Sequence, residues 1–181
     1  MAGLRKVIFL DRDGTLIVER NFLNDVNQVE ILPDAILSLR ELRDRGFEFC
    51  LITNQSGIAS RKVSLLNLQA IHDRIRRELA KNGVDLLAIY VSQAPSGSDD
   101  FFRKPNPGMI LTAAQEYRID LSRSWMVGDK PGDVEAGRRA GCRTIYFRQA
   151  HSDNFHFEAN FATAHFECHN WCEILAVIAK A

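Results

Sequence analysis

The stretch that most limits what this chain can fold into is Val7-Ile8-Phe9-Leu10-Asp11-Arg12-Asp13-Gly14-Thr15-Leu16. Four apolar residues run straight into two carboxylates and a Gly-Thr turn. A short unbroken apolar run of this kind reads as a strand covered on both faces, which is the habit of a parallel sheet. Residues two apart on an extended chain point the same way. Asp11 and Asp13 are therefore expected to face one spot at the strand's end, with Arg12 turned away. Two carboxylates so close repel, and a hard divalent cation with oxygen ligands relieves that; Mg²⁺ suits best. Taken alone, an Asp-x-Asp serves equally well as a polar exit from a strand, so the rest of the chain has to decide.

The remaining sequence repeats the pattern. Ala35, Ile36, Leu39 and Leu42 share one helical face, with Gly46 as a stop. Residues 47–52 form a second apolar run that ends in Thr53-Asn54-Gln55-Ser56-Gly57. Ser64 caps the next helix, whose buried stripe is expected to be Leu65, Leu68, Ile71, Ile75 and Leu79. A third strand is predicted over 87–91, then a polar loop and Arg103-Lys104-Pro105-Asn106-Pro107-Gly108, with Asn106 as the cap of a helix. The fourth strand, 124–127, leads into Gly128-Asp129-Lys130-Pro131-Gly132-Asp133. A helix with Ala136, Gly137 and Ala140 as small packing residues follows, then a fifth strand over 143–147 and a last helix over about 170–179. Strands alternating with helices imply an α/β fold, a three-layer Rossmann-like parallel sheet of five or more strands, in one domain spanning 1–181.

Polar motifs follow strands one, two and four, and Lys104 lies beyond strand three. The C-terminal edge of an open parallel sheet is where ligands bind. Each motif offers what phosphoryl transfer needs. Asp11 is a candidate nucleophile and Asp13 a candidate acid/base. The Thr53 hydroxyl and the Asn54 backbone amide are candidates to hold phosphate oxygens, and Gln55 is a further candidate to bind substrate. Lys104 supplies positive charge, and Asp129 can ligate Mg²⁺, with Asp133 a second ligand or an outer partner. At ~5 Å and an effective dielectric of ~20, two unit charges repel by about 3 kcal/mol. A phosphate dianion approaching Asp11 meets roughly twice that, more than Lys104 alone offsets, so a divalent cation is expected.

Composition narrows the class. Lys+Arg and Asp+Glu are both 23, so the chain carries no basic footprint for nucleic acid. No apolar run reaches membrane-spanning length, and the first is too short for a signal peptide, so a cytoplasmic monomer or weak homo-oligomer is expected. Cys50 and Cys142 read as reduced core residues. His165, Cys168, His169 and Cys172 have spacings that zinc sites use, but a strand passing into a helix would scatter them. Residues 148–163 are aromatic and without period; they border either the site or a partner.

At this point the chain resembles the haloacid dehalogenase superfamily of phosphatases. Asp11-Arg-Asp13-Gly-Thr15, Thr53-Asn-Gln-Ser-Gly57, Arg103-Lys104-Pro105 and Gly128-Asp129-Lys130-x-x-Asp133 match its four motifs in order, over residues 6–147. The wording FLDRDGTL, TNQSGIA and RKPNPGM is similar to the branch that contains histidinol-phosphate and heptose-bisphosphate phosphatases. The resemblance implies hydrolysis of a small sugar phosphate, a heptose bisphosphate or a relative of it, through an aspartyl-phosphate. It implies Mg²⁺ held in part by the Asp13 carbonyl, and Arg103 on the substrate. Histidinol phosphate and nucleotides stay open as alternative substrates, and a phospho-receiver module as an alternative class. Such modules lack the second Asp, and Asp13 argues against that class. The intervals Asp13 to Thr53 (53 − 13 = 40) and Thr53 to Lys104 (104 − 53 = 51) are filled by predicted elements, so no cap domain is expected. The loops 20–31 and 92–103 should border an open site. Members of the branch commonly hold zinc with Cys and His in the second loop; here it has neither, and zinc is not expected there.

Overall fold

The computed structural model describes residues 3–149 and 163–181. It contains one six-stranded, wholly parallel sheet in the order β3-β2-β1-β4-β5-β6. The strands are β1 (Val7–Leu10), β2 (Glu48–Asn54), β3 (Leu86–Ser92), β4 (Trp125–Gly128), β5 (Arg143–Phe147) and β6 (Phe166–Cys168). The helices are α1 (Ala35–Asp44), α2 (Leu65–Lys81), α3 (Gly108–Tyr117), α4 (Pro131–Ala140) and α5 (Trp171–Ala179).

β1 is central and all four of its residues are buried. Its alternate side chains feed two cores. Ile8 and Leu10 pack with Leu39 and Leu42 of α1, Ile71 and Ile75 of α2, and Trp171 and Ile174 of α5. Val7 and Phe9 pack with Met109 and Ala113 of α3 and Ala136 of α4 on the opposite face. That is the three-layer arrangement expected from the apolar runs. α4 lies so close to the sheet that a β-carbon on Gly137 would overlap Met126 and Thr144.

The strand order reverses at β1: the chain goes out through β2 and β3, then returns to the other side of β1 as β4. Leu10 is in register with Leu51 on one side and Val127 on the other. The Asp11 amide continues the ladder by donating to the Val127 carbonyl at 3.0 Å. The ends of β1, β2 and β4 therefore open on one crevice, the position at which such sheets bind ligands. Between Asp13 and Thr53 the chain forms a short 3-10 turn, α1 and β2; between Thr53 and Lys104 it forms α2 and β3. No cap domain is inserted.

Ser64 caps α2 as expected, accepting from the Asn67 amide at 3.0 Å. Asn106 does not cap α3. Its Nδ2 donates to Asp99 Oδ1 and the Asp100 carbonyl, both at 3.0 Å, and its Oδ1 accepts from Arg139. The side chain ties its own loop together, and Pro107 takes the cap position. Residues 150–162, most of the aromatic stretch, lie outside the described residues. Among the described residues no helix is long and apolar enough to cross a membrane.

Candidate active site

Asp11 follows the last residue of β1 and is buried. Lys104 reaches it from the loop after β3. The ammonium donates to Asp11 Oδ1 at 2.5 Å and to the Ile52 carbonyl at 2.8 Å, and pairs with Asp133 Oδ1 at 2.5 Å. All three of its protons are used. Burial works against the charge on Lys104, but Asp11 and Asp133 together outweigh it and hold the pKa above the ordinary lysine value. Asp133 turns its other oxygen to the Lys130 amide at 2.9 Å, at the start of α4. Its main contacts are thus Lys104 and the helix entrance.

Asp129 completes the acidic group. One oxygen each from Asp11, Asp129 and Asp133 lie within 4.8 Å of one another. Asp129 Oδ1 is buried and has no hydrogen-bond partner. Burial first, then the charge of Asp11, pushes the Asp129 carboxyl up to about 8. Lys130 is held firmly charged by Asp129, Asp11 and Glu19 despite its burial, and its ammonium points to Glu19 at 3.2 Å. A buried carboxylate oxygen without a donor, beside two more carboxylates, has the chemistry of a hard divalent cation site. These residues fit Mg²⁺.

Gly14 makes that geometry sterically feasible. It has φ +77, and a β-carbon on it would overlap the Asp129 carboxylate. Its carbonyl accepts from Gln149 Nε2 at 2.7 Å, and the neighbouring Thr15 carbonyl accepts from Trp171 Nε1 at 3.1 Å. The turn after β1 is pinned from the segment that follows β5 and from α5.

Asp13 lies apart from this acidic group. Its carboxylate is gripped by Arg12, whose Nε and Nη2 donate to both oxygens at 2.8–3.1 Å. The expectation that Arg12 turns away is therefore corrected. β1 ends at Leu10, so period-two alternation no longer governs residues 11–13. Gln55 Nε2 adds a bond to Asp13 Oδ2 at 2.8 Å and another to Thr53 Oγ1 at 2.9 Å. The Thr53 hydroxyl, buried at the tip of β2, keeps its own proton to donate.

Asn54 works through its side chain. Nδ2 donates to the Lys104 carbonyl at 2.9 Å, and Oδ1 accepts from the Lys104 amide at 3.1 Å. The second and third motifs are joined main chain to side chain. Arg103 donates instead to the Ala94 carbonyl at 3.0 Å.

A cavity of about 150 Å³ opens beside Asp13 and Lys130. Asn54, Gln55, Ser56 and Gly57 form one wall, and Glu19, Arg20, Asn21, Phe22 and Leu23 the other. The loop expected to border the site from residue 20 does so; Pro95 and Ser96 line an adjoining cavity with Phe22 and Ser56.

Residues 101–165 match the family described as HAD-hydrolase-like. The chain is 42% identical, over 143 residues, to the D-glycero-alpha-D-manno-heptose-1,7-bisphosphate 7-phosphatase of Photorhabdus laumondii, covering 75% of this chain and 78% of the relative. It is 38% identical, over 151 residues, to the D-glycero-beta-D-manno-heptose-1,7-bisphosphate 7-phosphatase of Escherichia coli K12, covering 80% and 79%. The chain belongs to the haloacid dehalogenase superfamily of phosphatases. The crystal structure of D,D-heptose 1,7-bisphosphate phosphatase from B. bronchiseptica, complexed with magnesium and phosphate, superposes with a TM-score of 0.86 at 27% identity, covering 97% of this chain and 98% of that one.

For a haloacid dehalogenase phosphatase the sequence shows the residues of the four motifs but not the contacts that hold Asp13 from behind. One is the Arg12 grip on Asp13. The other is His72 on α2, whose Nε2 lies 3.2 Å from Arg12 Nη1. Its signal was faint: His72 is four residues after Leu68, on the flank of the buried stripe. His165, Cys168, His169 and Cys172 do not gather. His165 Nδ1 lies 2.9 Å from Thr144 Oγ1, His169 Nδ1 lies 2.9 Å from the Arg148 carbonyl, Cys168 is buried and Cys172 exposed.

Proposed function

We propose that this phosphatase removes one phosphate from a heptose bisphosphate, with Mg²⁺ bound by Asp11, Asp129 and the Asp13 carbonyl. Asp133 serves mainly as the partner of Lys104. The observation that carries the substrate reading is the 38–42% identity, over most of their length, to enzymes named as heptose-1,7-bisphosphate 7-phosphatases. The unpartnered Asp129 oxygen supports the cation.

The chemistry runs on this chain's own side chains. An Asp11 carboxylate oxygen attacks phosphorus as the bond to the sugar oxygen breaks. Asp13, protonated, gives its proton to that departing oxygen. The free alcohol leaves, Asp11 carries the phosphoryl group, and Asp13 is a carboxylate. Asp13 next takes a proton from a water molecule whose oxygen attacks phosphorus. The bond to Asp11 breaks, inorganic phosphate leaves, and both residues return to their starting states. The Thr53 hydroxyl donates to a phosphate oxygen, Lys104 supplies positive charge beside Asp11 and the phosphate, and Arg103 and the walls of the cavity hold the sugar. Mg²⁺, when bound, offsets the charge that a phosphate dianion meets beside Asp11.

Incubation of the purified protein with D-glycero-D-manno-heptose 1,7-bisphosphate and Mg²⁺, followed by ³¹P NMR, tests this reading. Loss of one phosphate resonance, at a kcat/KM well above those for histidinol phosphate and nucleoside monophosphates, is expected. Preference for either competitor overturns the substrate assignment, and no turnover of any phosphomonoester overturns the mechanism.

A further inference from the structure

Arg12 is among the largest fully buried side chains in the protein. A buried guanidinium must place its donors on acceptors or bear a desolvation cost. Two of its nitrogens are committed to Asp13. The third, Nη1, meets His72 Nε2. Since arginine can only donate, the His72 ring must accept there, as the neutral tautomer with its proton on Nδ1. Burial, then the charges of Arg12 and Arg76, lower the imidazole pKa to about 4, which agrees with a neutral acceptor. His72 also lines an outer groove with Gln69, Asp73, Arg76 and Ile89. It stands between that groove and a guanidinium that would otherwise lack its acceptor.

The grip matters for the acid step. A bidentate guanidinium holds its carboxylate partner in one plane and one direction. Asp13 passes its proton to the leaving oxygen along that direction, so a fixed Arg12 keeps the acid aligned for the transfer. The planar fork works only if its plane is held, and the contact at Nη1 holds the end remote from Asp13.

We propose that His72 is a positioning residue for proton transfer: through Arg12 it fixes the Asp13 carboxylate, and so governs how well the enzyme expels poor leaving groups. The inference rests on the acid/base role given to Asp13 above. A good leaving group needs little protonation, and an alkoxide needs much.

The test compares kcat/KM for para-nitrophenyl phosphate and for glycerol 3-phosphate, an alkyl phosphate. His72→Leu is expected to lower the alkyl phosphate value roughly 10- to 100-fold, and the aryl value by less than about threefold. His72→Gln, which can present a carbonyl oxygen to Nη1, is expected to restore the alkyl phosphate value to within about threefold of the parent. Equal losses on both substrates, no loss on either, or failure of the glutamine to rescue overturns the proposal. If His72→Leu does not fold, ¹⁵N NMR of the unmodified protein decides. His72 should stay neutral with a bare Nε2 from pH 5 to 8, whereas titration near the ordinary value of about 6.5 overturns the contact. Absence of turnover by the parent enzyme points instead to the functional reading, and the NMR result still stands on its own.

Discussion

The carboxylate of Asp129 occupies the space that a side chain on Gly14 would need. Two segments far apart in sequence, the turn after β1 and the exit from β4, touch there with no room for a methyl group. Gly14→Ala is therefore expected to displace Asp129. The left-handed backbone alone costs about 1–2 kcal/mol in a non-glycine residue, and the overlap adds about 1–3 kcal/mol. Thermal melts should fall by several degrees, and the added stability that Mg²⁺ gives the parent protein should shrink in the variant. An unchanged Mg²⁺ response would place the cation elsewhere.

Asp129 also sets a pH dependence for the metal-free protein. Its carboxyl is raised from 3.8 to about 8 in the fold, so between those values the folded state binds more protons than the unfolded one. Stability without Mg²⁺ is accordingly present at low pH and lost as pH rises through the window, at up to roughly 1.4 kcal/mol per pH unit. Bound Mg²⁺ should remove that slope, because the cation replaces the proton. Asp129→Asn should flatten it without metal. Melting temperatures with EDTA and with Mg²⁺ at pH 5, 6.5 and 8 check both statements.

Lys104 is shared between two buried carboxylates, Asp11 and Asp133. Lys104→Met keeps the apolar stem and removes the charge, which leaves Asp11 and Asp133 unpaired. A loss of about 3–5 kcal/mol is expected from denaturant unfolding, since breaking a buried pair from one side strands the other charge. Turnover should be lost as well.

Asp11→Asn removes the proposed nucleophile while keeping its shape, and should reduce phosphate release to background. Asp13→Asn should cost about 10²- to 10⁴-fold in kcat, the usual worth of a placed acid/base. Trapping with labelled substrate separates the two: the Asp13 variant can still form the phosphorylated protein, and the Asp11 variant cannot.

Most of this fold was legible because the signal is local. Unbroken apolar runs marked the covered strands, three-and-four spacing marked α1 and α2, and polar residues clustered where those strands end. The contacts that set the state of each site residue were not local. Asp133 reads in the sequence as a second ligand or an outer partner of the cation, but its pairing with Lys104 joins two separate loops and leaves no periodic trace. Asn54 read as a backbone amide, while its side chain clasps Lys104. The misreading of Arg12 came from extending strand geometry past the last paired residue. Asn106 looked like a cap by spacing, but its Oδ1 accepts from Arg139 instead of the helix amides, and its Nδ2 is tied to its own loop.

The Asn54 clasp has a further meaning for how such an enzyme can change. Because the main chain of Lys104 is anchored to β2, the ammonium keeps its address whatever the preceding loop becomes. Residues 93–102 can then drift or take on a new shape without disturbing the position of the Lys104 charge. Selectivity and chemical competence are inherited on separate parts of the chain, and evolution can revise the first while the second stands still.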